Sequence, residues 1–282
     1  MNQASKNFFK TQLKDYVSTI PDRITSGGEW DIRGFVDIHK NIYSMPSDTK
    51  VISKVLELHL FPLLRDFAEK IGYDIEVASY QNWYPDFTLT SRHNSAVKFA
   101  LDLKTTYRDE KHEEFCNGFT LGSHGEYFTN RTSAKNIQYP YGDYSGHFCL
   151  GVIYSRALAD GFTEKFAVYN FKELEQIPAV IKEFTFFAEE KWKIASDKSG
   201  SGNTANIGSI KYIDDLISGN GVFSKAGESL FDDYWINFGK ILIQTENGGY
   251  KKISNLSEYL NYRGLDKSLN TPEKSRKSSA RV

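Results

Sequence analysis

Tyr84-Pro85-Asp86-Phe87-Thr88-Leu89 and, further on, Val97-Lys98-Phe99-Ala100-Leu101-Asp102-Leu103-Lys104 decide how this chain is read. Side chains on a strand alternate faces, so Val97, Phe99, Leu101 and Leu103 share one side and Lys98, Ala100, Asp102 and Lys104 the other. The first side is wholly apolar, which predicts a central strand, and charges on the other side of a central strand need a reason. Fifteen residues separate Asp86 from Asp102. A strand-turn-strand unit of that length can set the start of one strand beside the middle of the next. Asp86 then neighbours Asp102, and Lys104 projects from the same face two residues on.

Two carboxylates converging on one point repel unless a cation lies between them. Mg²⁺ suits such a pair, because it takes a few carboxylate oxygens and fills its remaining positions with water and phosphate oxygens. A lysine alongside can orient a water or offset charge on an attacked phosphate. The pattern therefore fits phosphodiester hydrolysis. Alone it has a plain alternative, since Pro-Asp opens many turns and Asp-x-Lys commonly marks a solvated strand face. Thr105, Thr106 and Tyr107 follow directly and add three hydroxyls suited to phosphate.

Outward from this centre, residues 73–80, 86–90, 97–104, 147–155 and 165–170 read as strands. Residues 47–72 read as the clearest helix. Ser47 or Asp48 caps it, Val51, Val55, Leu58, Phe61, Leu64, Phe67 and Ala68 form its stripe, and Pro62 kinks or divides it. Residues 5–20 form a short amphipathic helix through Phe8, Phe9, Leu13, Val17 and Ile20. Residues 171–192 read as mainly helical with a break near Pro178, and 229–243 as helical. Ser199 to Gly208 is a Gly-Ser-Asn-Thr loop. No Gly-Lys-Ser/Thr follows, so it is not a phosphate loop, and its spacing is not that of a dinucleotide fingerprint. A flexible linker is one reading of it. The other is base contact, with Asn pairing to adenine and the Thr methyl packing on thymine.

The 282 residues carry 35 basic and 36 acidic side chains, a net charge of -1. That balance excludes a polybasic nucleic-acid coat and an acidic solvating protein, but not a local basic groove. Cys116 and Cys149 make neither a disulfide framework nor a zinc cluster, and buried reduced thiols are expected. No apolar run nears the ~20 residues of a membrane span, and the first residues lack a secretory core, so a cytoplasmic protein is expected. From Asp266 onward Lys267, Lys274, Arg276, Lys277 and Arg281 face only Asp266 and Glu273, which predicts a basic, disordered tail.

Longer text around these signals resembles the EcoRV-like type II restriction endonucleases, members of the PD-(D/E)xK nucleases. The resemblance rests on Ser47-Asp48-Thr49-Lys50-Val51, Gln81-Asn82, Tyr84 to Leu89, Asp102 to Tyr107, Phe119-Thr120-Leu121-Gly122 and Lys135-Asn136-Ile137 with Tyr139-Pro140. It continues through Gly200-Ser201-Gly202-Asn203-Thr204 and Asn206-Ile207-Gly208-Ser209-Ile210, all in order, across about residues 40–264. It implies an α/β restriction-endonuclease-like fold, a mixed central β-sheet flanked by helices, in a U-shaped homodimer around double-stranded DNA. The domain would span residues 1–264 and the tail 265–282.

The resemblance further implies Asp86 and Asp102 as metal-binding carboxylates, Lys104 as the catalytic lysine and Glu57 as an added acid near the metal, with Mg²⁺ as cofactor. Gln81 and Asn82 fall in a minor-groove loop. Gly200, Ser201, Gly202, Asn203 and Thr204 fall in a major-groove recognition loop, and Thr106 and Lys135 near the DNA backbone. It implies central, blunt cleavage of GATATC and a cognate DNA methyltransferase in the same system. Trp83 stands where the family has histidine, Ala205 where it has a second threonine, and residues 107–119 are rewritten and acidic. The alternatives are a related nuclease with another DNA target or a repair role, and a non-catalytic DNA-binding module. The acidic residues of 108–126, Glu126 included, are expected to face away from DNA.

Overall fold

The computed structural model describes residues 3–157, 167–200, 205–245 and 247–275. Its centre is a seven-stranded sheet. In spatial order the strands are Thr25–Ser26, Glu29–Trp30, Ile181–Glu190, Gly146–Arg156, Lys98–Tyr107, Phe87–Ser91 and Tyr73–Val77. Lys98–Tyr107 and Gly146–Arg156 run parallel, and the other neighbours run antiparallel, so the sheet is mixed. The strand carrying Asp102 is central, as its apolar alternation predicts.

That alternation divides two cores. Phe99, Leu101 and Leu103 join one core with Phe148, Leu150 and Val152, beneath the helices Gln3–Val17 and Thr49–Lys70. Phe9 of the first helix stacks on Phe99 at 4.2 Å between centroids. Ala100 belongs to the opposite core with Cys149, Ile153, Phe187 and Trp235. Asp102 and Lys104 share the side of Ala100, so the charges emerge where the second core gives way to a groove. Both cysteines are buried.

The helix Thr49–Lys70 starts where Asp48 accepts hydrogen bonds from the Lys50 and Val51 amides, at 3.0 and 3.2 Å. Pro62 lies inside it and does not divide it. Its buried row is Ile52, Val55, Leu56, Leu60, Leu64, Phe67 and Ala68, whereas Leu58, expected in the stripe, is 63% exposed. A spacing of four residues sets this row, and it puts Leu58 on the outer side. Phe8 likewise points outward, while Phe9, Leu13 and Val17 are buried.

The larger departure is residues 171–192, read from sequence as helical. Phe171–Gln176 is a short 3₁₀ turn, and Ile181–Glu190 is a ten-residue strand paired antiparallel with Gly146–Arg156. The second helix expected at 229–243 ends at Asn237, and Leu242–Gln244 is a strand. The tail also departs from expectation: Lys267–Leu269 forms a 3₁₀ turn and the chain through Ser275 is packed on the protein, while 276–282 lie outside the described residues.

Two small sheets lie beside the central one. Val168–Asn170, Asn41–Ser44 and Gly34–Val36 form one, and Ala195–Ser199, Asn206–Ser209 and Thr120–Ser123 the other. The second holds both ends of the Gly-Asn loop and brings its Asn206 end to the groove.

Candidate active site

Asp86 lies immediately before the Phe87–Ser91 strand, which pairs antiparallel with the Lys98–Tyr107 strand through Phe87 and Leu101. This register places Asp86 beside the Asp102–Leu103 segment, and the Leu103 amide donates to Asp86 Oδ2 at 2.7 Å. Lys104 Nζ meets Asp102 Oδ2 at 2.6 Å. The three residues separated in sequence thus converge as their spacing suggests.

Burial opposes ionisation of Asp86, the neighbouring Asp102 carboxylate opposes it further, and Lys104 offsets only part; the result is a pKa raised from 3.8 to about 7. Lys104 is partly buried, which disfavours its charge, yet Asp102 and Asp86 together hold its pKa above the usual lysine range. Two carboxylates therefore share one ammonium, and the site is short of positive charge.

Asp86, Asp102 and Lys104 line a cavity of about 350 Å³ with Gln81, Asn82, Trp83 and Lys135. A second cavity of about 590 Å³ contains Glu57, again with Asp86 and Lys104, and with Thr120 and Asn206 common to both. Glu57 ion-pairs with Lys54 at 2.7 Å. The described residues hold no cluster of three or more His, Cys, Asp or Glu side chains converging as a metal cage. Two carboxylates are nonetheless an adequate protein share for Mg²⁺, which keeps waters and phosphate oxygens as its other ligands. The deficit of positive charge at Asp86 fits such an ion.

Thr106 stands apart from these cavities. It is buried, donates from Oγ1 to the Asn117 carbonyl at 2.7 Å, and lines a neighbouring cleft with Lys50, Ser53 and Arg156. Gly200 lines a further cavity of about 450 Å³. Ser201, Gly202, Asn203 and Thr204 lie outside the described residues. Glu126, expected to face away from the groove, instead lines the cavity of Asp86 and Asp102. The turn at Gly125 starts the short helix Glu126–Thr129 there, which the acidic composition of the stretch does not disclose.

Residues outside the sequence expectations complete the site. Asn206 begins the strand after the Gly-Asn loop and reaches both cavities. Behind the floor lies Lys191, only 3% exposed. Its ammonium has no hydrogen-bond partner among the described residues and sits 4.9 Å from the Tyr84 ring centroid and 5.4 Å from those of Phe128 and Tyr141. Burial lowers its pKa to about 7, against the pull of Asp102. Gly122 separates it from the cavity in a left-handed conformation (φ 87°), where an added Cβ would stand 3.0 Å from the Tyr127 hydroxyl and 3.5 Å from Lys191 Nζ. No local pattern announces such a lysine, because its aromatic surroundings come from distant segments.

The family described as restriction endonuclease EcoRV matches residues 26–264. The type II restriction enzyme EcoRV of Escherichia coli is 40% identical over 239 residues, covering 84% of this chain and 93% of that protein. Among solved structures the NlaIV restriction endonuclease is a distant likeness, at 13% identity and a TM-score of 0.39, covering 80% of this chain and 85% of its own. The chain belongs to the EcoRV family and is a type II restriction endonuclease, a hydrolase.

Proposed function

We propose that this endonuclease uses Mg²⁺ to cleave double-stranded DNA at GATATC, centrally, to blunt ends with 5′-phosphates. The observation that carries the reading is the convergence of Asp86, Asp102 and Lys104 in a groove shared with Gln81, Asn82 and Lys135. The kept Gly200-Ser201-Gly202-Asn203-Thr204 text supports the target. The central TA step of that site kinks readily, so bending energy adds to its recognition.

Asp86 and Asp102 would hold the metal, with Glu57 near it. The bound ion supplies Lewis acidity and a water of lowered pKa. In the metal-free chain Asp102 and Asp86 hold Lys104 protonated. From that position it orients the attacking water and offsets charge developing on the phosphate. Lys135, at the rim of the cavity, would neutralise a backbone phosphate, whereas Thr106, whose hydroxyl proton is given to the Asn117 carbonyl, would hold the wall of the neighbouring cleft in place.

A homodimer suits a palindrome, one active site per strand. Phe35, Tyr43 and Val168 lie side by side across one small sheet and are all exposed, with Val36, Ile38 and Phe171 nearby in sequence and also exposed. An apolar row of this kind supports association with a second copy. No helix among the described residues is long and apolar enough to cross a membrane, and action in the cytoplasm beside a cognate methyltransferase follows from the function proposed. Trp83 and Ala205 favour one second reading, the same chemistry on a different target.

Digestion of a plasmid with Mg²⁺ and run-off sequencing of the ends tests target, cut position and end chemistry together. Discrete blunt ends within GATATC are expected. Discrete ends elsewhere would establish the second reading, and a smear would refute both.

A further inference from the structure

Residues 265–275 lie beyond the matched family region, which ends at 264, yet they are built into the fold. Gly264 closes the helix Leu256–Arg263 in a left-handed turn, and Asp266 caps the next turn through the Ser268 amide at 2.9 Å. Leu269 packs on the second core. The Thr271 amide donates to the Val222 carbonyl at 3.1 Å, and its hydroxyl meets Ser224 Oγ at 3.0 Å. Lys274 pairs with Asp215 at 2.9 Å and stands over the Tyr212 ring, 3.9 Å from its centroid. The segment is a strap held at several points.

Between Thr271 and Lys274 it delivers Glu273 to the base of the Gly-Asn loop. Ser196, itself 3% exposed, donates its hydroxyl to Glu273 Oε2 at 3.0 Å. The same hydroxyl accepts from the Lys198 amide at 3.2 Å. These contacts fall where the sheet is irregular. Ala195 pairs with Ser209 and Ser199 with Ile207, so four steps on the loop-leading strand face two on its partner. Residues 196–198 oppose Gly208 alone and form a bulge that the ladder cannot fix, and bulges re-aim the chain that follows. The chain that follows here is the loop. Its closing end is tied back by the Gly200 amide to the Asn206 carbonyl at 2.7 Å, and Asn206 lines the catalytic cavities. At Gly200 an added Cβ would fall 2.8 Å from Thr120 Cγ2, so the loop base lies against a wall of the same groove.

We propose that Glu273, carried by the C-terminal strap, is a positioning residue that fixes the bulge at Ser196–Lys198 and thereby the aim of the DNA-recognition loop. The strap is thus a specificity device added to this chain outside the shared family region. This inference rests on the recognition role proposed above for residues 200–204.

The test measures kcat/KM of the full chain on duplex oligonucleotides carrying the site the wild type cuts, and on duplexes changed at one base pair. Glu273→Ala should lower the discrimination ratio about tenfold, the scale of a lost hydrogen bond to a charged acceptor. Glu273→Gln keeps an acceptor for Ser196 and should restore most of it. Ser196→Ala should behave like Glu273→Ala. Thermal denaturation of each variant accompanies the kinetics. A wild-type ratio in both Ala variants overturns the proposal. So does equal failure of Glu273→Ala and Glu273→Gln with a large fall in melting temperature, which would mark a purely structural strap. Asn203→Ala separates the two levels. If it collapses discrimination while the Glu273 variants do not, the strap proposal alone fails. If it leaves discrimination unchanged, the loop reading fails and the strap proposal with it.

Discussion

The strands Lys98–Tyr107 and Ile181–Glu190 have the same length, ten residues, and both flank Gly146–Arg156 in the sheet. One is legible in the sequence and the other is not. The first alternates without interruption, and its buried charge, Asp102, meets a lysine two residues away and a carboxylate one strand over. The second is interrupted at Glu183, a non-glycine residue with φ of 55°, where the pairing register shifts between Lys182 and Thr185. Its buried charges are also answered from far away. Glu189 meets Lys10 at 2.5 Å and Lys14 at 3.1 Å, and Glu190 meets Lys6 at 2.6 Å, all from the N-terminal helix. Buried charge thus has two meanings here: on one strand it is left short of a cation for chemistry, and on the other it is neutralised by the chain itself.

Substitutions can separate those meanings. The largest effect is expected from Lys104→Ala, which should reduce plasmid cleavage with Mg²⁺ by roughly 10³-fold or more in a chain that stays folded at the assay temperature. Retained cleavage would remove Lys104 from the chemistry. Lys6→Met should do the reverse. It leaves Glu190 and Glu228 without the ammonium that each meets at 2.6 Å, and should cost about 3 kcal/mol in denaturant unfolding with cleavage intact at low temperature. A neutral result would mean that these pairs are as replaceable as surface ones.

The next effect is a pH dependence of the metal-free chain. Asp86 keeps its proton to a higher pH when folded, about 7 against 3.8, so in that interval the folded state binds more protons and stability falls as pH rises. Asp86→Asn should therefore be the more stable protein at pH 8, by about 1–4 kcal/mol, with the advantage shrinking toward pH 4. Equal stabilities at both values would show that Asp86 is not short of positive charge. Lys191→Met is the last of the four and is read as a slope. Burial lowers the Lys191 pKa, so the unfolded chain binds more protons between about 7 and 10.5 and stability rises with pH there. Denaturant midpoints across that interval should show a flatter rise in the variant, and an unchanged slope would mean the ammonium is better paired than its aromatic surroundings indicate.

What was legible follows physical range. Asp86, Asp102 and Lys104 are legible because a strand period and a short connection fix them locally, and the family resemblance adds Glu57, Gln81, Asn82 and Lys135, which line the same cavities. The strand at 181–190 is not legible because a bulge at Glu183 breaks its period. Lys191 and Glu126 are not legible as site residues because tertiary packing alone brings them there. The strap reads as disordered in sequence because its anchors, Ser196, Val222 and Asp215, are dispersed along the chain and give a polar segment no local periodicity.

The central claim is that two carboxylates and one lysine, brought together by adjoining strands, perform the cut. Cleavage of a plasmid bearing a single GATATC by Asp86→Ala, beside the wild type and with melting curves for both, tests it most directly. A linear product from the wild type and intact supercoiled plasmid from the folded variant are expected. Normal cleavage by folded Asp86→Ala would contradict the account.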